Sequence, residues 1–100
     1  MTLDELRDLV ARGEVDTVVL AMTDMQGRLQ GKRLDAEAFV GEIAAHGAEA
    51  CNYLLAVDME MATLPGFALT SWEAGYGDFV LRPDLATLRP MSWLEGTVLC

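Results

Sequence analysis

The sequence predicts an α+β fold in which a helix crosses a mixed sheet and another helix precedes the sheet. Three observations carry this. A capped segment with helical periodicity opens the chain. A β-branched run then turns back on itself through Met25-Gln26-Gly27. A second helical segment starts at Asp35, and further strand-like runs follow, punctuated by Gly and Pro.

The elements follow in order. Thr2-Leu3-Asp4-Glu5 has the form of a capping box, with Thr at the N-cap and Glu three residues on. Leu3, Leu6, Leu9 and Val10 then recur on one helical face, Asp4 and Glu5 suit the positive end of the helix dipole, and Gly13 marks the stop. Asp16 to Asp24 is apolar with little alternation, as in a strand covered on both faces. Gly27 supplies the turn, and Arg28 to Leu34 reads as a more polar returning strand with Arg28 and Lys32 on one face. Asp35 caps the second helix, which places Ala36, Phe39, Val40, Ile43 and Ala44 on one side and ends at His46-Gly47. A third strand is expected from Ala50 to Val57, a fourth from Asp78 to Arg82 and a fifth from Gly96 to Cys100. Pro83 to Pro90 reads as a turn and connection. An initial hairpin followed by a helix crossing the sheet is the β-grasp arrangement; another α+β layer fold is the alternative.

Length and composition set bounds on function. One hundred residues make one domain, taken as residues 1–100. The chain is 52% hydrophobic, above the roughly 45–50% usual for soluble domains, so one face is expected to pack on another domain or subunit. Sixteen acidic residues against seven basic ones give a net charge of −9, which argues against nucleic acid and against anionic membrane surfaces. No apolar run reaches the ~20 residues of a membrane span, and the acidic N-terminus lacks a signal peptide's apolar region, so a cytoplasmic location is expected. Cys51 and Cys100 lack metal-ligand spacing, and His46 is the sole histidine, so no structural zinc site is expected. Both cysteines read as reduced core residues, with a thiol redox role as a lesser alternative.

No catalytic constellation can be assembled. There is no phosphate-binding G-x-x-x-x-G-K-[ST] and no dinucleotide-binding G-x-G-x-x-G, and Gly75-Tyr76-Gly77 alone reads as a turn. Residues 58 to 77 form a long stretch without period, of the kind usually functional or disordered; Phe67, Leu69 and Trp72 weigh against disorder. Asp58 and Glu60 would share a strand face, where they could hold a cation or attract an amine, or stand as a solvated strand end.

The combined motifs identify a resemblance. Thr23-Asp24-Met25-Gln26-Gly27-Arg28, Gly31-Lys32-Arg33, Trp72-Glu73-Ala74-Gly75-Tyr76-Gly77-Asp78, and Pro83 to Arg89 with Trp93 resemble the N-terminal β-grasp domain of the glutamine synthetase family across nearly the whole chain. The resemblance implies an ATP-dependent ligase that activates glutamate as γ-glutamyl phosphate for attack by ammonia or another amine. It further implies that ATP, Mg2+ or Mn2+ and glutamate are held by a C-terminal catalytic domain absent from this chain, so that residues 1–100 alone are inactive and contribute no catalytic, cofactor or metal residue. The implied partners are the catalytic domains of its own and the neighbouring subunit, in a ring-type homo-oligomer whose active site is completed across the interface. In ammonia-using members this domain brings an Asp and a Trp to the amine end. Trp72 matches the Trp; Ala68-Leu69-Thr70-Ser71 replaces the Asp-Gly-Ser-Ser run, leaving Asp58 as the nearest carboxylate. That departure resembles the divergent members that ligate glutamate to polyamines or other amines.

Trp72 is otherwise a core or interface anchor, Trp93 is expected to be structural, and Arg82, Asp84 and Arg89 are expected to fix the turn or interface. A free-standing β-grasp interaction module is the competing functional reading. The strand reaching Cys100 reads as cut mid-element, which favours a domain of a longer protein.

Overall fold

A computed structural model describes residues 1–51, 54, 59–61 and 78–100. It contains a four-stranded mixed sheet, a separate two-stranded sheet and two helical regions, a β-grasp-like α+β arrangement. The chain divides into two units. One comprises Met1–Ala21, Gly31–Gly47 and Arg82–Cys100, and the other Met22–Gln30 and Ala48–Leu81.

In the first unit, α1 (Leu3–Ala11) begins at Thr2, whose hydroxyl accepts the Glu5 N–H, and the chain leaves through Gly13 at φ 72°. Strand β1 (Thr17–Thr23) pairs with β2 (Leu29–Asp35) on one side and with β6 (Thr97–Leu99) on the other, and β5 (Arg89–Pro90) completes the order β2-β1-β6-β5. The β1–β6 pairing is parallel, with Val18 opposite Val98, both almost fully buried. The side-chain alternation of β1 is clearer than its sequence implies: Val18 and Leu20 are buried, whereas Thr17, Val19 and Ala21 are only half-buried. It is β6 that is buried on both faces. Strand β2 is a polar edge, where exposed Lys32 and Arg33 oppose edge-to-edge pairing.

The second helix starts where expected. The Asp35 carboxylate accepts the Ala38 N–H at 3.0 Å, and α2 (Ala36–Ala38) follows. The helix then leaves α register for a π-helical turn at Phe39–Ile43 and resumes as α3 (Ala44–His46), ending at Gly47 with φ 83°. His46 thus closes the helix, exposed, as anticipated. Phe39 and Ala36 are buried, but Val40, Ile43 and Ala44 are only half-buried, because the π turn rotates the apolar stripe away from the regular helical face. The core gathers Leu6, Val18, Phe39 and Val98, all essentially sealed from solvent.

In the second unit, β3 (Ala48–Cys51) and β4 (Asp78–Leu81) pair antiparallel, with Ala50 opposite Phe79. The expected third strand therefore begins two residues earlier than placed, its part at 52–53 and 55–57 lies outside the described residues, and with β4 it forms its own sheet. Residues 83–90 are also more ordered than a connection. Asp84 caps a 3-10 turn (Leu85–Thr87) through the Ala86 N–H, and β5 follows as an edge strand, a position that tolerates Pro90. Arg82 and Arg89 lie exposed beside this turn. Trp93, expected to be structural, is 71% exposed and lies on the surface of this domain.

Candidate functional site at the hairpin tip

The tip joining β1 to β2 belongs to the second unit and is organised by one carboxylate. Asp24 follows β1 and is 7% exposed. Its backbone N–H donates to the Arg28 carbonyl at 2.8 Å, and its carbonyl accepts the Gly27 N–H at 3.0 Å. Gly27 at φ 81° supplies the left-handed conformation this turn needs. Within the turn, Asp24 Oδ1 accepts the N–H groups of Gln26 and Arg28, each at 2.9 Å. Oδ2 accepts Arg28 Nε at 2.7 Å and Gln30 Nε2 at 3.1 Å.

Burial opposes ionisation of Asp24. The bonds from the Gln30 amide, the Arg28 N–H and guanidinium and the Gln26 N–H outweigh it, and they hold the carboxyl at about 2 against an ordinary 3.8. A carboxyl depressed on folding contributes stability above its unfolded value, and that contribution is lost as pH falls toward the folded one. Unfolding free energy is therefore expected to drop more steeply between about pH 4 and pH 2 in the native sequence than in Asp24→Asn. Urea titrations across that range check this; parallel profiles for the two proteins would refute it.

The two donors that grip Asp24 also reach the short segment at 59–61. The Arg28 guanidinium donates through one terminal nitrogen to the Met59 carbonyl and through the other to Gln26 Oε1 at 3.4 Å. Gln30 Nε2 lies 3.2 Å from Met61 Sδ. Around this clasp Met25, Leu29, Met59 and Met61 expose apolar surface, Met25 at 72%. Arg28 was expected to share a strand face with Lys32. It lies instead just before β2 and folds back onto Asp24, because a nearly buried carboxylate needs a charged partner.

Asp58 and Trp72 both fall outside the described residues, as does the Gly75–Gly77 turn. Asp24 and Gln30 are the residues that sequence reasoning passed over as individuals. Their signal was a lone carboxylate closing an apolar run, with Gly three and Arg four positions on. A concavity in the first unit has a volume of about 150 Å³ and carries Asp16, Asp35 and Glu37 beside Val10 and Val15. No group of three or more His, Cys, Asp or Glu able to hold a metal ion occurs among the described residues. Cys100 is a buried free thiol whose ionisation is disfavoured first by burial and also by the nearby Asp84 charge, against a hydrogen bond from Thr87. The Cys51 side chain lies outside the described set. No helix of the described residues is long and apolar enough to cross a membrane.

No family model matches the chain. Among curated proteins it is 59% identical over 97 residues to gamma-glutamylethanolamide synthetase GlnA4 of Streptomyces coelicolor, covering 97% of this chain and 21% of that protein. It is 36% identical over 98 residues to a glutamate–isopropylamine ligase of a Pseudomonas species, covering 96% and 21%. It is 33% identical over 76 residues to type-1 glutamine synthetase 2 of Dictyostelium discoideum, covering 76% and 14%. The chain thus spans about a fifth of the length of the first two relatives. With its β-grasp-like fold and near end-to-end similarity to one region of these enzymes, the chain belongs to the glutamine synthetase family, as the counterpart of the N-terminal domain of glutamine-synthetase-like ligases.

Proposed function

We propose that the protein is an ATP-dependent ligase that joins the γ-carboxylate of glutamate to a small primary amine. In this reading residues 1–100 complete the amine end of a neighbouring subunit's active site in a cytoplasmic ring-type homo-oligomer. The observation that carries the reading is 59% identity, over 97% of the chain, to a protein named for making γ-glutamylethanolamide. The 36% identity to a glutamate–isopropylamine ligase points to the same substrate class. Small alkyl or hydroxyalkyl amines are thereby favoured over polyamines and over ammonia.

Amide formation from a carboxylate needs an activated acyl group, and ATP supplies it as γ-glutamyl phosphate. The amine then attacks the acyl carbon, phosphate leaves, and the amine nitrogen gives up a proton. ATP, glutamate and Mg2+ or Mn2+ belong in this reading to a catalytic domain beyond residues 1–100. What these residues contribute is recognition of the amine. An indole face attracts a cation and covers an alkyl chain, the role assigned to Trp72, and a carboxylate attracts the ammonium form, the role assigned to Asp58. The apolar surface of Met25, Leu29, Met59 and Met61 supports a domain that packs against another one.

Trp72→Ala in the intact protein is expected to raise KM for ethanolamine about 10-fold while moving KM for ATP less than about 2-fold, the loss of one cation–π contact. Steady-state kinetics with each substrate varied in turn check this. Equal effects on both, or an effect on assembly alone, would make Trp72 an interface anchor. An intact protein that ligates no amine across a panel of primary amines would replace the ligase reading with a free-standing interaction module.

A further inference from the structure

We propose that Asp24, Arg28 and Gln30 act as positioning residues that hold the 59–61 segment in place for the amine end of the site. This inference rests on the ligase reading given above. Three observations meet at that segment. The first is that Arg28 bridges two groups at once: Nε on the Asp24 carboxylate and a terminal nitrogen on the Met59 carbonyl. A guanidinium presents its donors in a fixed plane, so its anchorage on Asp24 sets where the Met59 carbonyl can sit.

The second is that Gln30 repeats the pattern. Its amide nitrogen lies between Asp24 Oδ2 at 3.1 Å and Met61 Sδ at 3.2 Å. Arg28 and Gln30 both turn toward Asp24, and both extend past it to the same three-residue segment. The third is backbone strain. Met61 has φ 65°, and among the described residues it is the one non-glycine with positive φ. A side chain bearing a β-carbon rarely adopts that conformation, and it persists only where surrounding contacts impose it.

The location gives the clasp its consequence. Residues 59–61 directly follow Asp58 and precede the stretch that contains Trp72. A hairpin tip tied to that point fixes the backbone at 59–61, which in the ligase reading lies in sequence between the two residues assigned to the amine. Asp24 is suited to the task because its several donors keep it charged at any physiological pH. The clasp residues touch no reacting atom; they act through the backbone they hold.

The test uses the intact protein and two conservative variants. Arg28→Lys keeps the charge but cannot span Asp24 and the Met59 carbonyl together, and Gln30→Met keeps the volume but removes the amide donor. The first readout is independent of activity: cleavage by a glutamyl endopeptidase after Glu60, which is exposed. Each variant is expected to be cut about 5-fold faster at that bond, the equivalent of one lost hydrogen bond, with its thermal midpoint within about 2 °C of the native protein. The second is kinetic: KM for ethanolamine is expected to rise about 5-fold with KM for ATP unchanged. Unaltered cleavage together with unaltered amine KM would overturn the clasp, as would equal increases in both KM values, which a merely structural role produces. Native protein that ligates no amine, while the variants still open at Glu60, would overturn the ligase reading and leave the anchoring of 59–61 standing. An active native enzyme whose variants behave identically to it would do the reverse.

Discussion

Phe39→Ala is expected to lower the unfolding free energy by about 3–5 kcal/mol, the range for removing a buried aromatic side chain. Phe39 is sealed from solvent at the start of the π-helical turn and is the largest of the fully buried side chains, with Leu6, Val18 and Val98 beside it in the core. Two features limit relaxation around the resulting cavity. The turn packs against α1, and β1 and β6 are tied by mutual backbone bonds, Ala21 N–H to the Cys100 carbonyl and Cys100 N–H to the Val19 carbonyl, each at 2.9 Å. Small domains are stable by only about 5–15 kcal/mol, so this loss takes a large share of the total. Urea unfolding at neutral pH measures it. A loss under about 1 kcal/mol would mean that the π turn collapses into the space, which the fixed strands on the other side argue against.

Gly31→Ala is the second large effect, and its sign runs against the usual one. Replacing Gly by Ala ordinarily stabilises by reducing the freedom of the unfolded chain. At position 31 the new β-carbon would fall on the Leu20 carbonyl oxygen and within 2.9 Å of Ala21 Cα. Both are backbone atoms of the neighbouring strand, so relief requires strands to part. A cost of about 1–3 kcal/mol is expected, read as a lower urea midpoint with unchanged m-value. Gly41 is the internal control. It lies in the π turn with open space, among the described residues, where its β-carbon would stand, and Gly41→Ala is expected to be neutral or to stabilise by up to about 1 kcal/mol. The same sign for both substitutions would show that steric approach is not what fixes Gly31.

The architecture was legible in the sequence because local and long-range signals agreed. Thr2 and Asp35 cap where their side chains predicted, and Gly13, Gly27 and Gly47 stand in the left-handed conformations that end or turn their elements. What was not legible involves partners distant in sequence. The π turn cannot be read from the spacing of Phe39, Val40 and Ile43, which suits an α-helix equally well. The edge strand Arg89–Pro90 forms because β6 offers a free side, which a two-residue segment ending in Pro does not announce. Trp93 was expected to be structural by type alone, and type is a poor guide to burial for Trp.

The site divides in the same way. The turn at Met25-Gln26-Gly27 was read correctly, since Gly27 signals it. The Asp24 clasp was not, since its bonds reach Met59 and Met61, some thirty residues away. A carboxylate next to a turn is ordinarily solvated; the burial that makes this one important comes from the fold. Family membership was the most visible part, because it rests on several short motifs taken together.

The parallel pairing of β1 with β6 also governs when this domain can form during its own synthesis. Thr17 finds its partner only at Thr97, and the amino group of Met1 donates to the Leu88 carbonyl, 87 residues on. A ribosome must therefore release almost the entire domain before its central strand has both neighbours. Until then Val18 and Leu20 flank an unfilled edge on the nascent chain. Closing such distant contacts is slow, because the loop-closure entropy must be met before the contacts form. A pause in translation before residue 97 would prolong that exposure.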